Sequence, residues 1–446
     1  MSKPNRSYKL FLKKYINNIS GLQVFQLIRF GTLLLISIVF AKSHLTTEAI
    51  GNYEFFLFIT ALFCSFWING LIQSFLPLYR NNKTFNSSEN KSSEIFNAFI
   101  LISFLSILTI LILLIFKKPL SGILESSDKI PYFNLVLIYI FFSSPSFLIE
   151  YIYLLKNQPG KILKYGIITF TTQFILVSLP VIIGFDIEKA LLGLIIISII
   201  RYVWLMVLLK KHSRFALSVK FIKEHIHFAW PLIISTLVGS SAGYVDGFLV
   251  LNKFDAATFA VFRYGAKEFP LVLLMANALS TAMISEFSQK EKLTAALINL
   301  RKRSANLMHL LFPATIFFLV FSQWLYPKIF NPNFSESAVI FNIYLLLIIS
   351  RLVFPHTILI GMKKTNIVMY TSFAELIVNV VLSIIFINIW GIKGVAFATV
   401  IAFGFQKIIW LAYNKKILGI SPTDYIPLKF LTIYSLITVV VFCLMY

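Results

Sequence analysis

The chain has 446 residues, of which 58% are apolar, 16% aromatic and only 13% charged. A soluble domain is about 45–50% apolar and about 25% charged, so this composition excludes a soluble globular domain as well as a disordered or collagen-like chain. Two cysteines, Cys64 and Cys443, are too few for a disulfide framework or a zinc cluster. The composition therefore indicates an integral membrane protein, most of which lies in the lipid bilayer.

The formal net charge of +22 comes from 40 basic and 18 acidic residues. Most basic residues stand in short breaks between apolar runs, where they set the orientation of a membrane protein, and we therefore predict no nucleic-acid partner. Alternate breaks differ strongly in their content of Lys and Arg. The richer set includes the N-terminal segment with Lys3, Arg6, Lys9, Lys13 and Lys14, so the N-terminus is predicted to be cytoplasmic.

Apolar runs of about 20 residues are candidates for membrane-spanning helices. In chain order they cover residues 20–41, 52–78, 95–116, 131–155, 161–184, 188–209, 228–251, 256–287, 305–329, 337–360, 366–390, 393–413 and 428–445. No small-residue cleavage site follows the first run, which is therefore predicted to be a retained anchor. The sequence predicts an all-α, polytopic membrane protein with about 12–13 transmembrane helices.

A weak internal repeat suggests how these helices are organised. Residues 45–54 and 254–263 both carry an acidic residue, small residues and an aromatic residue at the start of a long apolar run. Six runs separate the two stretches, so the halves would share one orientation. We therefore predict two six-helix lobes, 1–209 and 210–413, related by a pseudo-twofold axis along the membrane normal, with an extra span in 414–446. The alternative is a chance likeness between two helix starts in a chain rich in Ile and Phe.

The breaks between runs are short, none longer than about twenty residues. They contain neither a Walker A loop nor a dinucleotide-binding fingerprint, and the six histidines are scattered without metal-ligand spacing. The sequence thus predicts no cofactor, no metal site and no catalytic or nucleotide-binding domain outside the membrane.

Charged residues within the apolar runs are the candidate functional residues, because each costs at least ~2.5–3.5 kcal/mol to insert. The basic set is Arg29, Arg201, Arg263, Lys267, Arg351 and Lys407, and the acidic set is Glu54, Glu150, Asp246, Glu268, Glu286 and Glu375. Lys407 and Glu286 stand near the ends of their runs and are expected to lie at the membrane interface.

Three basic residues are predicted to bind an anionic substrate. Arg29 lies near the middle of the first run, and Arg263 lies in the eighth with Lys267 four residues later, on the same face of a continuous helix. Guanidinium groups bind phosphate oxygens in a bidentate manner. The alternative is structural ion pairing, for example between Arg263 and Asp246 on the neighbouring run.

Three acidic residues, Asp246, Glu268 and Glu375, are candidates for ion or proton coupling, since a buried carboxyl group can change its protonation when its surroundings change. The alternative for each is an ordinary ion pair. His356 is expected to have a packing role.

Several short stretches resemble those of a known family. They are Ala41-Lys42-Ser43-His44 followed by Glu48, Gly51 and Tyr53, then Leu76-Pro77-Leu78-Tyr79-Arg80, and in the second half Trp230-Pro231-Leu232, Asp246 and Ala260 to Ala266. With these residues the chain resembles the polysaccharide-export flippases of the multidrug/oligosaccharidyl-lipid/polysaccharide exporter superfamily. It departs from the family at Thr47 and Ala260, where a glycine is frequent.

The resemblance implies a flippase that moves a polyprenyl-pyrophosphate-linked oligosaccharide across the bacterial inner membrane by alternating access. Its product would serve lipopolysaccharide, O-antigen or other surface polysaccharide assembly, with glycan polymerase machinery as a partner. Two other functions stay open. One is a multidrug/cation antiporter of the same superfamily, and the other is an enzyme, namely a membrane glycan polymerase or glycosyltransferase.

Overall fold

The computed structural model describes residues 18–83, 91–118, 130–287, 293–362 and 364–446. Within these ranges the chain is helical apart from turns, short connections and one isolated bridge between Ser92 and Ser213. The predicted all-α class is therefore confirmed. The basic segment from Lys3 to Lys14, on which the predicted orientation partly depends, lies outside the described residues.

The helices follow one another with short connections. They are α1 Asn18–Lys42, α2 Thr47–Lys83, α3 Ser93–Ile115, α4 Phe133–Ser146, α5 Leu148–Leu155, α6 Pro159–Ile182, α7 Ile187–His212, α8 Val219–Lys253, α9 Ala256–Gly265, α10 Pro270–Phe287, α11 Leu293–Ile329, α12 Ser335–Leu345, α13 Leu347–Arg351, α14 Pro355–Gly361, α15 Thr365–Trp390, α16 Ile392–Lys416, α17 Pro422–Tyr425 and α18 Leu428–Met445.

Membrane-spanning length is reached by eleven helical stretches of the described chain, and by two further pairs of helices that are bent at a short break. The total of up to 13 agrees with the thirteen predicted runs, including the last, which forms α18. One of the bent pairs is α9 with α10, which meet at an angle of 53°. The chain is therefore a multi-pass membrane protein.

Prolines account for two differences from the predicted runs. The tenth run ends at Arg351, and a new helix begins at Pro355. The eighth run is interrupted at residues 266–269, directly before Pro270. Proline has no backbone N–H and disfavours the helical conformation in the residue before it, so it starts a helix more readily than it continues one.

The chain folds as two compact units, Met1–Leu237 and Val238–Tyr446. The division falls within α8, whose first half packs in the N-terminal unit. There His225 is fully buried and its Nε2 donates to the backbone carbonyl oxygen of Leu71, 2.9 Å away. Nearby, α2 approaches α8 so closely at Gly70 that an added Cβ would overlap Ile233.

Helices in each unit also touch through their backbones. In the N-terminal unit a Cβ on Gly193 of α7 would overlap the backbone carbonyl oxygen of Leu176 in α6. In the C-terminal unit α15 and α16 form a hairpin that turns at Gly391, which has a φ of 60°. A Cβ on Gly394 would overlap the carbonyl oxygen of Phe386. Glycine at these positions permits the close helix packing that is common in membranes.

Replacing Gly193 by alanine is expected to destabilise the N-terminal unit by about 1–3 kcal/mol, because the backbone of α6 would have to move away from α7. The thermal unfolding temperature in detergent should fall. Gly31→Ala is the matched control, since Gly31 also lies within a helix and its Cβ would meet nothing within 4 Å. That variant should be neutral or slightly stabilised. Equal unfolding temperatures for the two variants would contradict the close contact.

Candidate functional site

A buried carboxyl group in the N-terminal unit interacts with two arginines. Glu150 in α5 is 4% exposed, and both Arg29 of α1 and Arg201 of α7 act on it electrostatically. Arg201 Nη2 also donates to Gln173 Oε1 at 2.8 Å, and its guanidinium carbon lies 5.0 Å from the centre of the Phe170 ring. Glu150 thus interacts with two bases and can balance the charge of only one of them.

Arg29 is half-buried, and its guanidinium carbon lies 5.3 Å from the centre of the Phe147 ring at the start of α5. The ring face attracts the cation and the nearby Glu150 offers a counter-charge. The side chain is thus partly sheltered by protein without being fully enclosed. The sequence marked Arg29, Arg201 and Glu150 only by their charge within apolar runs. It did not predict that Glu150 lies near both arginines or that Arg201 bonds to Gln173.

A second buried carboxyl group, Asp246 of α8, lies in the C-terminal unit and is 1% exposed. Tyr344 Oη donates to its Oδ2 at 3.2 Å, and Asn379 Nδ2 is 3.4 Å from its Oδ1. Thr399 Oγ1 also donates to Oδ2. Glu375 of α15 acts on Asp246 electrostatically. Three helices, α12, α15 and α16, therefore bring polar side chains to one carboxyl group on α8.

The spacing of the polar residues along α15 explains part of this cluster. Glu375, Asn379 and Ser383 recur every four residues, so they lie on one face of the helix, and all three are buried. Asn379 Nδ2 also lies 3.1 Å from Thr399 Oγ1 of α16. The polar face of α15 is thus turned toward α16 and α8 inside the unit.

Two oxygen atoms of this cluster are buried without a hydrogen-bond partner in the described structure, namely Glu375 Oε1 and Asn379 Oδ1. Together with the Asp246 carboxylate and Thr399 Oγ1 they form a set of carboxylate, amide and hydroxyl oxygens. Oxygen ligands of this kind suit a hard cation, and a carboxyl group can also hold a proton. We call Asp246, Tyr344, Glu375, Asn379 and Thr399 the Asp246 cluster.

The third predicted acid, Glu268, forms a bidentate ion pair. Arg351 Nε donates to Glu268 Oε2 at 2.9 Å, and Arg351 Nη2 to Oε1 at 2.5 Å. The Arg351 guanidinium also lies 4.5 Å from the centre of the Phe403 ring. The pair connects the break between α9 and α10 to the end of α13.

Arg263 and Lys267 are not on one helix face, and that prediction is wrong. The helix α9 ends at Gly265, so Lys267 lies in the non-helical break before Pro270. Arg263 is half-buried in the last turns of α9. Lys267 Nζ lies 4.7 Å from the centre of the Tyr264 ring. Lys267 therefore lies outside the helix that carries Arg263.

Lys407 does not extend out of the protein, as a lysine that reaches for the membrane interface would. Its side chain in α16 is packed inside the C-terminal unit and is 8% exposed. The sequence could place it near a predicted span end but could not show which face of α16 packs against protein. Glu286, the other residue expected at the interface, accepts a hydrogen bond from Asn299 Nδ2 at 2.9 Å.

Replacing Arg351 by methionine is expected to lower the free energy of unfolding by about 1.5–3 kcal/mol, because Glu268 loses two charge-assisted hydrogen bonds in a partly buried position. Lys393→Met is the matched control, since Lys393 pairs with Glu336 at 3.7 Å in a more exposed position. Such surface pairs contribute about 0–1 kcal/mol. Thermal unfolding of both variants in detergent measures the difference, and equal losses would contradict a structural role for the Arg351–Glu268 pair.

Several solved membrane-protein structures are similar to this chain. The solved structure of the lipid II flippase MurJ in an inward closed conformation is 18% identical, with a TM-score of 0.68 over 95% of this chain and 97% of that one. An inward-facing multidrug resistance MATE family transporter of the MOP superfamily is 13% identical, with a TM-score of 0.66 over 91% and 98%. A MOP superfamily transporter from Pyrococcus furiosus is 13% identical, with a TM-score of 0.56 over 90% of this chain and 95% of that one.

These likenesses show that the chain has the fold of these solved transporter structures. A family model described as "Polysaccharide biosynthesis protein" matches residues 45–339. The chain therefore belongs to the polysaccharide biosynthesis protein family, and the predicted resemblance to polysaccharide exporters is confirmed. No curated protein sequence matches the chain.

Proposed function

We propose that the chain is a flippase that moves a polyprenyl-pyrophosphate-linked oligosaccharide across a bacterial cytoplasmic membrane by alternating access. Its family is one of polysaccharide biosynthesis, and its fold is shared with a lipid II flippase. The observation that carries the proposal is the presence of a half-buried arginine in a helix of each unit, Arg29 in the spanning helix α1 and Arg263 in α9, the first helix of a bent pair. Such groups match the charge and the geometry of a pyrophosphate.

The substrate-binding residues in this proposal are Arg29, Arg263 and Lys267. Glu150 balances only part of the charge of Arg29 and Arg201, so an anion near Arg29 would find an attractive field. Lys267 lies at the helix break, where its side chain is partly exposed. The lobes 1–209 and 210–413, with the additional segment 414–446, would be the parts that move during alternating access.

The energy source in this proposal is an ion or proton gradient. Asp246 and Glu375 would carry the coupled ion, because their cluster combines two acids with two unpartnered oxygen atoms. Glu268 would contribute through its ion pair with Arg351, which an altered arrangement of the helix break could open. The lipid tail of the substrate would stay in the bilayer. Glycan polymerase machinery would then use the delivered oligosaccharide.

The cellular setting follows from the same proposal. The protein would lie in the inner membrane with its N-terminus in the cytoplasm, as the distribution of Lys and Arg predicts. The exported unit would enter lipopolysaccharide, O-antigen or other surface polysaccharide assembly.

A multidrug/cation antiporter is the second candidate, and the MATE-like fold and the acidic Asp246 cluster favour it. A cationic drug prefers a negatively charged site, whereas Glu150 lies near two arginines and balances the charge of only one. An enzyme is less well supported, because the solved structures named above are transporters.

A strain that lacks the protein distinguishes the three candidates by the intermediate that accumulates. Lipid-linked units stranded in the inner leaflet support a flippase. Single units on the outer leaflet would instead indicate a polymerase. Normal surface glycan combined with hypersensitivity to cationic drugs would indicate an antiporter and overturn the proposal.

A further inference from the structure

A buried lysine in the C-terminal unit has no acidic partner among the described residues. Lys407 Nζ lies 3.4 Å from the backbone carbonyl oxygen of Val353, 3.5 Å from His356 Nδ1 and 4.9 Å from the centre of the Trp410 ring. The side chain is 8% exposed. A buried ammonium group without a counter-ion is costly, so this position is stable only if the charge can be removed or shared.

His356 is placed to share that charge. Its Nδ1 faces Lys407, and its Nε2 is 3.1 Å from Ser280 Oγ, which in turn is 2.8 Å from Thr357 Oγ1. The ring also packs on Trp410 with centroids 5.5 Å apart. In one state the Lys407 ammonium donates to Nδ1 of a neutral His356 imidazole. In the other state the Nδ1–H of a His356 imidazolium donates to the neutral Lys407 amine.

The neighbouring charges limit Lys407 and His356 together to a single positive charge. Arg351 of α13 acts electrostatically on both Lys407 and His356 and repels a positive charge on either. Arg351 is itself held by Glu268, and it also acts on Glu375 of α15. Two adjacent cations beside a guanidinium would be strongly unfavourable in surroundings of low polarity. The pair therefore titrates as one unit.

We propose that Lys407 and His356 form a proton-binding site that holds one proton and exchanges it with water during transport. The site is separate from the Asp246 cluster, since the contacts of the two involve different side chains. Its role in coupling rests on the proposed function, whereas its ability to bind a proton does not. The site would supply a proton-linked step in addition to any cation held by Asp246.

Trp410 offers a direct readout, because the positions that gain and lose the charge both lie against its ring. The full-length protein in nanodiscs is titrated from about pH 5 to about pH 10, a range that includes the ordinary values of histidine and lysine. Tryptophan fluorescence is recorded, and the signal of a Trp410→Phe variant is subtracted. We expect a single transition that is lost in Lys407→Met and shifted by about one pH unit in His356→Gln.

Lys416→Met is the matched control, since Lys416 is exposed at the end of the same helix and should leave the transition unchanged. A transition that persists unaltered in both Lys407→Met and His356→Gln would overturn the proton site, as would its absence in the unmodified protein. His356→Gln keeps the test decisive if Lys407→Met does not fold.

Transport in sealed vesicles then separates the two proposals. An imposed proton gradient should accelerate flipping by the unmodified protein but not by Lys407→Met, which should flip at the same rate with and without the gradient. Equal acceleration in both would overturn the role of the site in transport. If the unmodified protein flips no lipid-linked oligosaccharide while the Trp410 transition is present, the flippase proposal fails and the proton site stands.

Discussion

Replacing Arg29 by alanine is expected to abolish export of the surface glycan at an unchanged level of protein in the membrane. The guanidinium group would form two charge-assisted hydrogen bonds to the pyrophosphate, each contributing about 1.5–3 kcal/mol. Loss of both predicts at least about a hundredfold reduction. Export is measured as surface glycan in cells that carry the variant as their only copy, with the protein quantified in the same membranes.

The controls for Arg29 separate charge, geometry and stability. Arg29→Lys keeps the charge but cannot form the bidentate contact, so export should be strongly reduced without being abolished. Lys42→Ala, at the exposed end of the same helix, should export normally. Arg263→Ala repeats the test in the other unit and leaves the contacts of Glu150 untouched. Normal export in both arginine-to-alanine variants would exclude these arginines as the substrate site.

Replacing Asp246 by asparagine is expected to reduce gradient-driven transport by about tenfold or more while the helices around it remain packed. Asparagine has nearly the same volume. Its oxygen can accept from Asn379, and its NH2 group can donate to the hydroxyl groups of Tyr344 and Thr399, but it has no charge and cannot release a proton. Transport is measured in vesicles with an ion gradient imposed across the membrane. The loss should be largest when the gradient is the only source of energy.

Asp255→Asn is the matched control for Asp246. Asp255 is exposed before α9, and its carboxylate accepts the backbone N–H of Thr258 at 2.7 Å. This bond lowers the pKa of Asp255, so the carboxyl group is ionised at neutral pH. Asparagine also caps helices well, so the variant removes one charge with little structural change. If Asp246→Asn transports as well as Asp255→Asn, the Asp246 cluster does not couple transport to a gradient.

The apolar runs predicted the spanning helices well because hydrocarbon requires a long apolar segment whatever the helix packs against. They did not predict how far a helix continues beyond its apolar part. The ninth predicted run begins at 305, whereas α11 begins at Leu293 and includes the exposed Arg301, Lys302 and Arg303. Hydropathy marks the part of a helix that lies in lipid, and a polar extension gives no comparable signal.

The candidate site was less predictable, because a charge within a run shows that a partner is needed without showing which one. Asp246 and Glu375 were selected by charge, but Tyr344 and Thr399 carried no signal of their own. The four-residue spacing of Glu375 and Asn379 was visible in the sequence and could have indicated a polar helix face.

Lys407 shows the reverse problem. Its position late in an apolar run suggested the interface, yet the packing of α16 against α14 encloses it. In a membrane protein the lipid-facing and the protein-facing sides of a helix can both be apolar, so periodicity does not tell them apart. The break at Lys267 was foreseeable from Pro270, since a proline within a run marks a probable helix boundary.

The sidedness of a lipid-linked oligosaccharide in sealed vesicles that contain only the purified protein tests the flippase proposal most directly. A probe that reacts with the glycan from outside should reach about half of the molecules in protein-free vesicles and nearly all of them once the protein is present. Arg29→Ala should return the accessible share to that of the protein-free vesicles. An accessible share that the unmodified protein does not raise above the protein-free value would contradict the proposal.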